Sequence, residues 1–285
     1  IAEKMATDLA DHGSAVTLEA FNEYVAEDSR IVRGSYRGYD LVGMDIPAAG
    51  VLSIQALQIM EKFEPSSMSE AEWFAVTGQA LSLASRELRV LGTDTAAARA
   101  TSKDWATELA RQVAVPNTPR STIGGSLLPP LQDRGDLFGG HTTHLSTADE
   151  NGMFVSLTQT LGPTMGSKVV TPGLGFLYAS TLGGYLGRME PGERARSNIC
   201  PFMVLKDGEV ILVLGAAGGG MIPPAVVHAI TRVIDFGMSL PQALAEPRVA
   251  GARGGGYSAE TSPGIGWTLA ELEEMRGLGI EVTET

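Results

Sequence analysis

Hydrophobic and polar positions divide the chain into a helical first part and a mixed second part. Up to about residue 115, apolar residues recur at the spacing of amphipathic helices, as Ile1, Met5 and Leu9 show. A β-hairpin is predicted over 30–44, with Gly34 and Gly38 near its turn. The predicted helices cover 1–11, 17–24, 51–63, 69–91 and a stretch that starts at 101.

The pattern breaks between residues 116 and 141. This segment carries four prolines, two Gly-Gly pairs and many small polar residues. A segment with so little apolar surface to bury does not offset the entropy that it loses on becoming ordered. We therefore predict a mobile surface linker over 116–141.

The second part of the chain has the alternation of β-strands. Thr142–Ala148 and Met153–Leu161 form one predicted hairpin, joined by the turn sequence Asp149-Glu-Asn-Gly152. Further predictions are a hairpin over 201–214 and helices over 222–236 and 239–246. Helices, a linker, and then hairpins with more helices predict an α+β fold with layers of antiparallel sheet and helix.

Composition and charge narrow the classes of partner. The 285 residues are 44% hydrophobic and 19% charged, which is ordinary for a globular protein with a sizeable core. The net charge of −12 argues against a nucleic acid or an anionic membrane as partner, because either would select a basic surface. Cys200 is the single cysteine, so no internal disulfide is expected.

The beginning of the sequence gives no location in the cell. Ile1 lies inside a predicted helix, and neither a signal peptide nor an apolar run of transmembrane length is visible. We interpret the chain as a fragment or a processed product, and we predict no compartment.

The junction Gly139-Gly140-His141-Thr142 is the first candidate for chemistry, because a flexible linker runs there directly into a strand. A threonine in mid-strand has no reason to be nucleophilic. A threonine that becomes N-terminal has its own α-amine beside its hydroxyl, and with a pKa near ~8 this amine can act as a general base. The alternative is a threonine-rich strand after a loop, and the junction alone favours it.

Motifs along the chain change that balance, because they resemble the γ-glutamyltransferase family in order and in approximate spacing. The second part carries Thr142-Thr-His-Leu-Ser-Thr-Ala-Asp, Val155-Ser-Leu-Thr-Gln-Thr-Leu, Gly166-Ser-Lys, Arg196-Ser-Asn-Ile-Cys-Pro201, Val204-Leu-Lys-Asp-Gly208, Gly215-Ala-Ala-Gly-Gly-Gly220, Asp235-Phe-Gly-Met238 and Glu246-Pro-Arg248. Upstream, the similar motifs are Val16-Thr-Leu-Glu, Tyr36-Arg-Gly-Tyr39 and Thr101-Ser-Lys. The resemblance is closest to a bacterial branch often called γ-glutamyltransferase-like.

The resemblance implies an N-terminal-nucleophile (Ntn) hydrolase with a four-layer αββα sandwich. It also implies maturation by self-cleavage between His141 and Thr142. Residues 1–115 would then be the C-terminal part of a large subunit, 116–141 the linker, and 142–285 a small catalytic subunit. The family's N-terminal portion and its last strands would lie outside this sequence. The expected partners are the two fragments of one precursor and a small-molecule amide.

Catalytic roles follow from the same resemblance, position by position. Thr142 matches the nucleophile, and Thr160 matches a threonine whose hydroxyl supports it. Gly218 and Gly219 match a glycine pair whose backbone N–H groups form the oxyanion hole, a role that suits glycine because the substrate can approach the backbone closely. Without the family, Thr160 could equally be an ordinary strand residue, and the glycines a tight strand-to-helix turn.

The substrate-binding positions depart from the family pattern. Ser197 and Asn198 match a pair that binds the substrate's carboxylate end, although typical members carry Ser-Ser there; the alternative is a polar loop before a strand. Gly162 stands where typical members have an asparagine that contacts the glutamyl group, and Gly184 stands where a carboxylate is expected to hold the substrate's α-amine. The acyl group could therefore differ from γ-glutamyl.

Several functions remain open on this basis. The first is a γ-glutamyltransferase or glutathione-hydrolase-like enzyme, and the alternatives are an acylase on a non-glutamyl amide, similar to cephalosporin acylases, or an uncleaved, non-catalytic binding protein. A metal site is disfavoured, because His141 and His144 would point to opposite faces of a strand and no acidic or cysteine cluster accompanies them. A serine hydrolase lacks the G-x-S-x-G motif. No cofactor is predicted.

Overall fold

A computed structural model describes residues 1–28, 30–90, 94–115, 142–162, 165–181, 192, 194–251, 256–261, 264 and 266–284. The predicted linker, His141 and Gly184 lie outside these ranges. The helices are α1 (Ala2–Asp11), α2 (Leu18–Glu23), α3 (Gly50–Met60), α4 (Glu70–Val90), α5 (Asp94–Ala100), α6 (Lys103–Ala110), α7 (Ile222–Asp235), α8 (Leu240–Ala245) and α9 (Leu269–Gly277). The strands are β1 (Ile31–Tyr36), β2 (Tyr39–Met44), β3 (Thr142–Ala148), β4 (Phe154–Thr160), β5 (Phe202–Lys206), β6 (Glu209–Leu214), β7 (Val249–Gly251), β8 (Tyr257–Ala259) and β9 (Val282–Glu284).

The predicted elements are confirmed within a few residues, and their capping residues explain where they begin. The side chains of Thr17, Ser69 and Ser102 accept backbone N–H bonds at the starts of α2, α4 and α6. The structure adds α5, α9 and the short strands β7 to β9, which the sequence pattern did not predict. Its mixture of helices and mainly antiparallel strands confirms the α+β class, and the four-layer arrangement stays a prediction.

Gly34 has a different role from the one predicted for it. It lies inside β1, and Arg37 and Gly38 form the turn, with φ of 48° and 78°. A Cβ at Gly34 would lie 2.4 Å from Cγ2 of Ile54 in α3. The placement near the turn was wrong, because this glycine lets a helix pack closely on the sheet.

The main sheet has strand order β1-β2-β5-β6 and is antiparallel throughout. Its middle pair, β2 with β5, joins the part of the chain before 116–141 to the part after it, with Leu41 opposite Val204. The other sheets among the described residues are the hairpin β3–β4 and the small sheet β7-β8-β9, in which β8 and β9 are parallel. No described helix is long and apolar enough to span a membrane.

Helix α3 forms the centre of the core. All of its residues are buried, and it packs against β1, β2, α4, α6 and α7. The buried hydroxyl of Ser53 lies 3.2 Å from Sγ of Cys200, so even the polar residues of α3 face other parts of the protein. A second apolar cluster lies under β7 to β9, around Phe74 and Leu272.

Two of the motifs that carry the family resemblance meet at the end of the main sheet. The hydroxyl of Tyr36 donates a hydrogen bond to Oδ2 of Asp235 at 2.5 Å, and Nε of Arg37 lies 2.6 Å from Oδ1 of the same carboxylate. Burial raises the pKa of Asp235, and these two partners act against that rise. The β1–β2 turn is thereby attached to the C-terminal end of α7.

Candidate active site

The hairpin β3–β4 brings the two predicted catalytic threonines together. Thr142 and Thr160 are opposite each other in the strand register, and Oγ1 of Thr142 donates a hydrogen bond to Oγ1 of Thr160 at 3.1 Å. The backbone N–H of Gly162 donates to the same Thr160 oxygen at 3.1 Å. Because Thr160 accepts the Thr142 proton, the lone pairs of the Thr142 oxygen are left to face away from Thr160.

The turn of the hairpin fixes this register. Oδ1 of Asp149 accepts the N–H groups of Asn151 at 2.9 Å and Met153 at 2.8 Å, and Gly152 adopts a φ of 81° that suits glycine. These bonds, led by the one from Met153, lower the pKa of Asp149. A slip by one residue would turn Thr142 to the other face of the hairpin, so the turn sequence is what keeps the two threonines opposed.

The same face of the hairpin carries a row of polar side chains that attach it to the main sheet. Oγ of Ser146 donates to the Val213 carbonyl at 3.2 Å, and Oγ of Ser156 donates to the Leu214 carbonyl at 3.0 Å. Ser156 also accepts the N–H of Phe202 at 3.1 Å. The hairpin therefore lies across the end of β6 and the beginning of β5.

His144 is part of this row. Its Nδ1 lies 2.9 Å from Oγ1 of Thr158, and its Nε2 lies 2.9 Å from Oγ of Ser146. Burial lowers the pKa of His144, so the imidazole is neutral at pH 7. From the sequence, His144 was considered only as a metal ligand, and no role was predicted for Ser146 or Ser156. The available signal was the placement of these polar residues at every second position from Thr142 and from Thr160.

The predicted oxyanion glycines form the turn between β6 and α7. Gly218 and Gly219 have φ of 122° and 58°, and the N–H of Met221 bonds to the Gly218 carbonyl at 3.0 Å. At the end of β6, Val213 contacts Ser146, and Gly215, the residue after the strand, contacts His144. From Val213 to Gly215 the chain advances by two residues, and its contact on β3 moves from Ser146 to His144, which is two residues nearer to Thr142. The chain after β6 therefore runs toward the Thr142 end of β3 as it approaches the glycine pair.

Ser197 and Asn198 lie on the segment before β5, and both are half-buried. The N–H of Ser197 bonds to the Pro47 carbonyl at 2.8 Å, while its hydroxyl accepts the N–H of Ile199 at 3.2 Å. The N–H of Ala49 returns to the Ile199 carbonyl at 3.0 Å. Within the described residues, these contacts place the pair against the loop before α3, and a role for it in binding stays a prediction.

Comparison with known proteins shows which family the chain belongs to. The family model Gamma-glutamyltranspeptidase matches residues 1–283. This chain belongs to the gamma-glutamyltranspeptidase family.

Curated relatives in the family carry two kinds of name. The chain is 31% identical over 258 residues to an acylase ACY 1 proenzyme of Pseudomonas sp. (strain V22), covering 85% of this chain and 44% of that protein. It is 28% identical over 278 residues to the glutathione hydrolase proenzyme of Escherichia coli (strain K12), covering 87% and 46%. The chain thus spans about half the length of the curated relatives it matches.

A solved structure agrees on the fold. The crystal structure of cephalosporin acylase from Bacillus halodurans superimposes with a TM-score of 0.80, covering 100% of this chain and 51% of that one at 23% identity. At this identity the likeness concerns the fold alone.

Gly162 is one of the described positions that depart from the family pattern on which the sequence resemblance rests. Its φ is 88°, and a Cβ there would lie 2.6 Å from the carbonyl oxygen of Ser180. The N–H of Ser180 in turn bonds to the Leu161 carbonyl at 2.8 Å. An asparagine in this backbone conformation would be strained and crowded, so the local structure is built around glycine.

No group of three or more His, Cys, Asp or Glu side chains with the geometry of a metal site occurs among the described residues. Around Thr142 the hairpin presents hydroxyl groups, backbone N–H groups and the imidazole of His144, and groups of these kinds can serve in acyl transfer.

Proposed function

We propose that the protein is a self-processing amidase of the Ntn type, with Thr142 as its nucleophile. The hydrogen bond from Thr142 to Thr160 supports this most directly, because it holds the Thr142 hydroxyl at the start of a strand with its lone pairs facing away from Thr160. In the proposed maturation, water hydrolyses the His141–Thr142 peptide bond, which leaves a carboxylate on His141 and an α-amine on Thr142. A four-layer αββα sandwich is the fold that accompanies this proposal.

The proposed reaction proceeds through an ester on Thr142. The α-amine of Thr142 takes the proton of the Thr142 hydroxyl as Oγ1 attacks the carbonyl carbon of the substrate amide. The backbone N–H groups of Gly218 and Gly219 stabilise the resulting oxyanion. The intermediate then collapses, the proton passes to the leaving nitrogen, and an amine departs. Water or an amine acceptor attacks the ester, and the Thr142 hydroxyl regains its proton. Thr160 keeps the nucleophile oriented throughout.

The substrate that we propose first is a γ-glutamyl amide such as glutathione. The family, the relatives named glutathione hydrolases and Ser197, which matches the first serine of the family's substrate-binding pair, support it. A second candidate is an acylase on a non-glutamyl amide. Gly162 favours this candidate, because the backbone there leaves no room for the side chain that contacts a glutamyl group in typical members.

Electrophoresis under denaturing conditions tests the self-cleavage. Wild type is expected to give two fragments, and N-terminal sequencing of the smaller one should begin at Thr142. Thr142→Ala should stay in one piece and lose at least about 10³-fold in amidase rate. Thr143→Ala is the matched control, because Thr143 lies on the opposite, exposed face of β3. An uncleaved, inactive wild type would contradict the proposal and favour the binding-protein alternative.

Two chromogenic anilides separate the candidate substrates. Hydrolysis of γ-glutamyl p-nitroanilide supports the first candidate. Hydrolysis of only glutaryl p-nitroanilide, which lacks the α-amine, supports the second.

A further inference from the structure

His144 and Gly215 make an unusually close contact beside the proposed nucleophile. A Cβ on Gly215 would lie 2.3 Å from Nδ1, 2.4 Å from Cε1 and 2.8 Å from Cγ of the His144 ring. The backbone of Gly215 lies outside the left-handed region, so its conformation is open to any residue. Glycine is therefore needed at this position by the ring that packs on it.

Hydrogen bonds hold the ring in one orientation and one tautomer. The Ser146 hydroxyl has a single proton, which it donates to the Val213 carbonyl, so it must accept a proton from Nε2 of His144. Nδ1 of the neutral ring is then an acceptor for the Thr158 hydroxyl. With both nitrogens engaged, His144 is unsuited to act as the general base.

The contact connects two parts of the proposed site. The ring is attached to β3 two residues from Thr142, and it rests on the first residue of the segment that leads to Gly218 and Gly219. The bond from Ser146 to Val213 reinforces the same junction on β6. Movement of the ring would change the separation between the nucleophile's strand and the glycine turn.

We propose that His144 is a positioning residue that sets the glycine turn at 218–219 relative to Thr142, acting through its ring contact with Gly215. This inference rests on the proposed function, since the turn matters only if it binds an oxyanion. Misplacement of catalytic groups by about 1 Å can lower a rate by roughly 10²-fold.

A double-mutant cycle tests the contact. Gly215→Ala is expected to lower kcat by about 10- to 100-fold with little change in KM, because the new methyl group displaces the ring. In a His144→Ala background, the same Gly215→Ala change should lower kcat by less than about 3-fold, because the contact is already gone. Gly277→Ala, at the end of α9 with no atom near its Cβ position, is the control and should leave kcat unchanged.

The stability of each variant is measured alongside, so that a purely structural role is recognised. A loss of kcat in fully folded variants supports positioning. Losses that are additive in the cycle, or a kcat that Gly215→Ala leaves unchanged, would overturn it. A wild type that is folded but neither cleaves itself nor hydrolyses an amide contradicts the proposed function instead.

Nitrogen-15 NMR of the imidazole groups tests the ring in the wild-type protein, even if Gly215→Ala and His144→Ala fail to fold. At pH 7, His144 should be the Nε2–H tautomer, with its signals assigned by their loss in His144→Gln. An Nδ1–H tautomer or a charged ring at His144 would overturn the arrangement.

Discussion

Helix α3 and the hairpin β3–β4 are held in the fold by opposite means. Every residue of α3 is buried, whereas on the outer face of the hairpin Leu145, Val155 and Leu157 are 42% to 44% exposed. The helix is fixed by apolar packing from all sides, and the hairpin is attached mainly through the side chains of Ser146 and Ser156 on one face. Global stability and the placement of the nucleophile should therefore respond to different substitutions.

The largest effect on stability is expected in α3. Leu57→Ala removes a fully buried side chain and should lower the free energy of unfolding by about 2–5 kcal/mol, measured by denaturant titration. The kcat of the folded fraction should not change. Leu244→Ala on α8 is the control, since Leu244 is largely exposed. A change in kcat larger than the loss of folded protein would show that the two regions are coupled.

Acid is expected to weaken the core through His228. Burial, with a smaller effect of Arg232, lowers the pKa of this histidine to about 3, whereas its ordinary value is 6.5. Below pH 6.5 the unfolded state binds more protons than the folded state, so the free energy of unfolding falls as the pH falls. The loss from His228 between pH 6.5 and pH 5 should be about 2 kcal/mol.

His228→Gln should flatten this pH dependence, because a glutamine oxygen can still accept the Val249 N–H without binding a proton. Equal slopes for wild type and His228→Gln would refute the assignment.

Thr160→Val tests the hairpin side of the comparison. The substitution keeps the shape of the side chain but removes the acceptor for Thr142 and Gly162, so kcat should fall by about 10-fold. The free energy of unfolding should change by less than about 1 kcal/mol, since strand β4 carries little of the core. Thr160→Ser should restore most of the rate. A fall in stability without a fall in kcat would be the opposite of this expectation.

The smallest effect is expected on the outer face of the hairpin. Leu157→Thr keeps a residue that favours strands, and it should change the free energy of unfolding by no more than about 0.5 kcal/mol. Thermal unfolding together with kcat measures this. A loss above about 1 kcal/mol would mean that this face is packed in the protein as it exists in solution.

The sequence predicted the elements whose ends carry local signals. The Asp149–Gly152 turn and the helix starts near residues 17 and 101 were predicted correctly, because each depends on bonds a few residues away. Thr142 and Thr160 lie opposite each other on the two strands of this predicted hairpin, and the roles proposed for them come from the resemblance.

What the sequence did not predict depends on contacts between distant segments. Gly34 and Gly215 look like turn or loop glycines in sequence, yet each is set by a side chain from another element, Ile54 or His144. Strands β7 to β9 have three residues each, too few for alternation to be visible, and β8 pairs with β9 across α9. The pairing of β2 with β5 joins strands far apart in the chain, for which no local pattern exists.

The pairing of β2 with β5 decides how many polypeptides must meet for the main sheet to fold. If the backbone is cut between β2 and β5, the native sheet needs two polypeptides where it previously needed one. The intact chain should then refold at a rate independent of protein concentration, whereas a nicked and denatured sample must find its partner and should recover more slowly as it is diluted. The order of events would matter for such a protein, with folding completed first and the cut made afterwards.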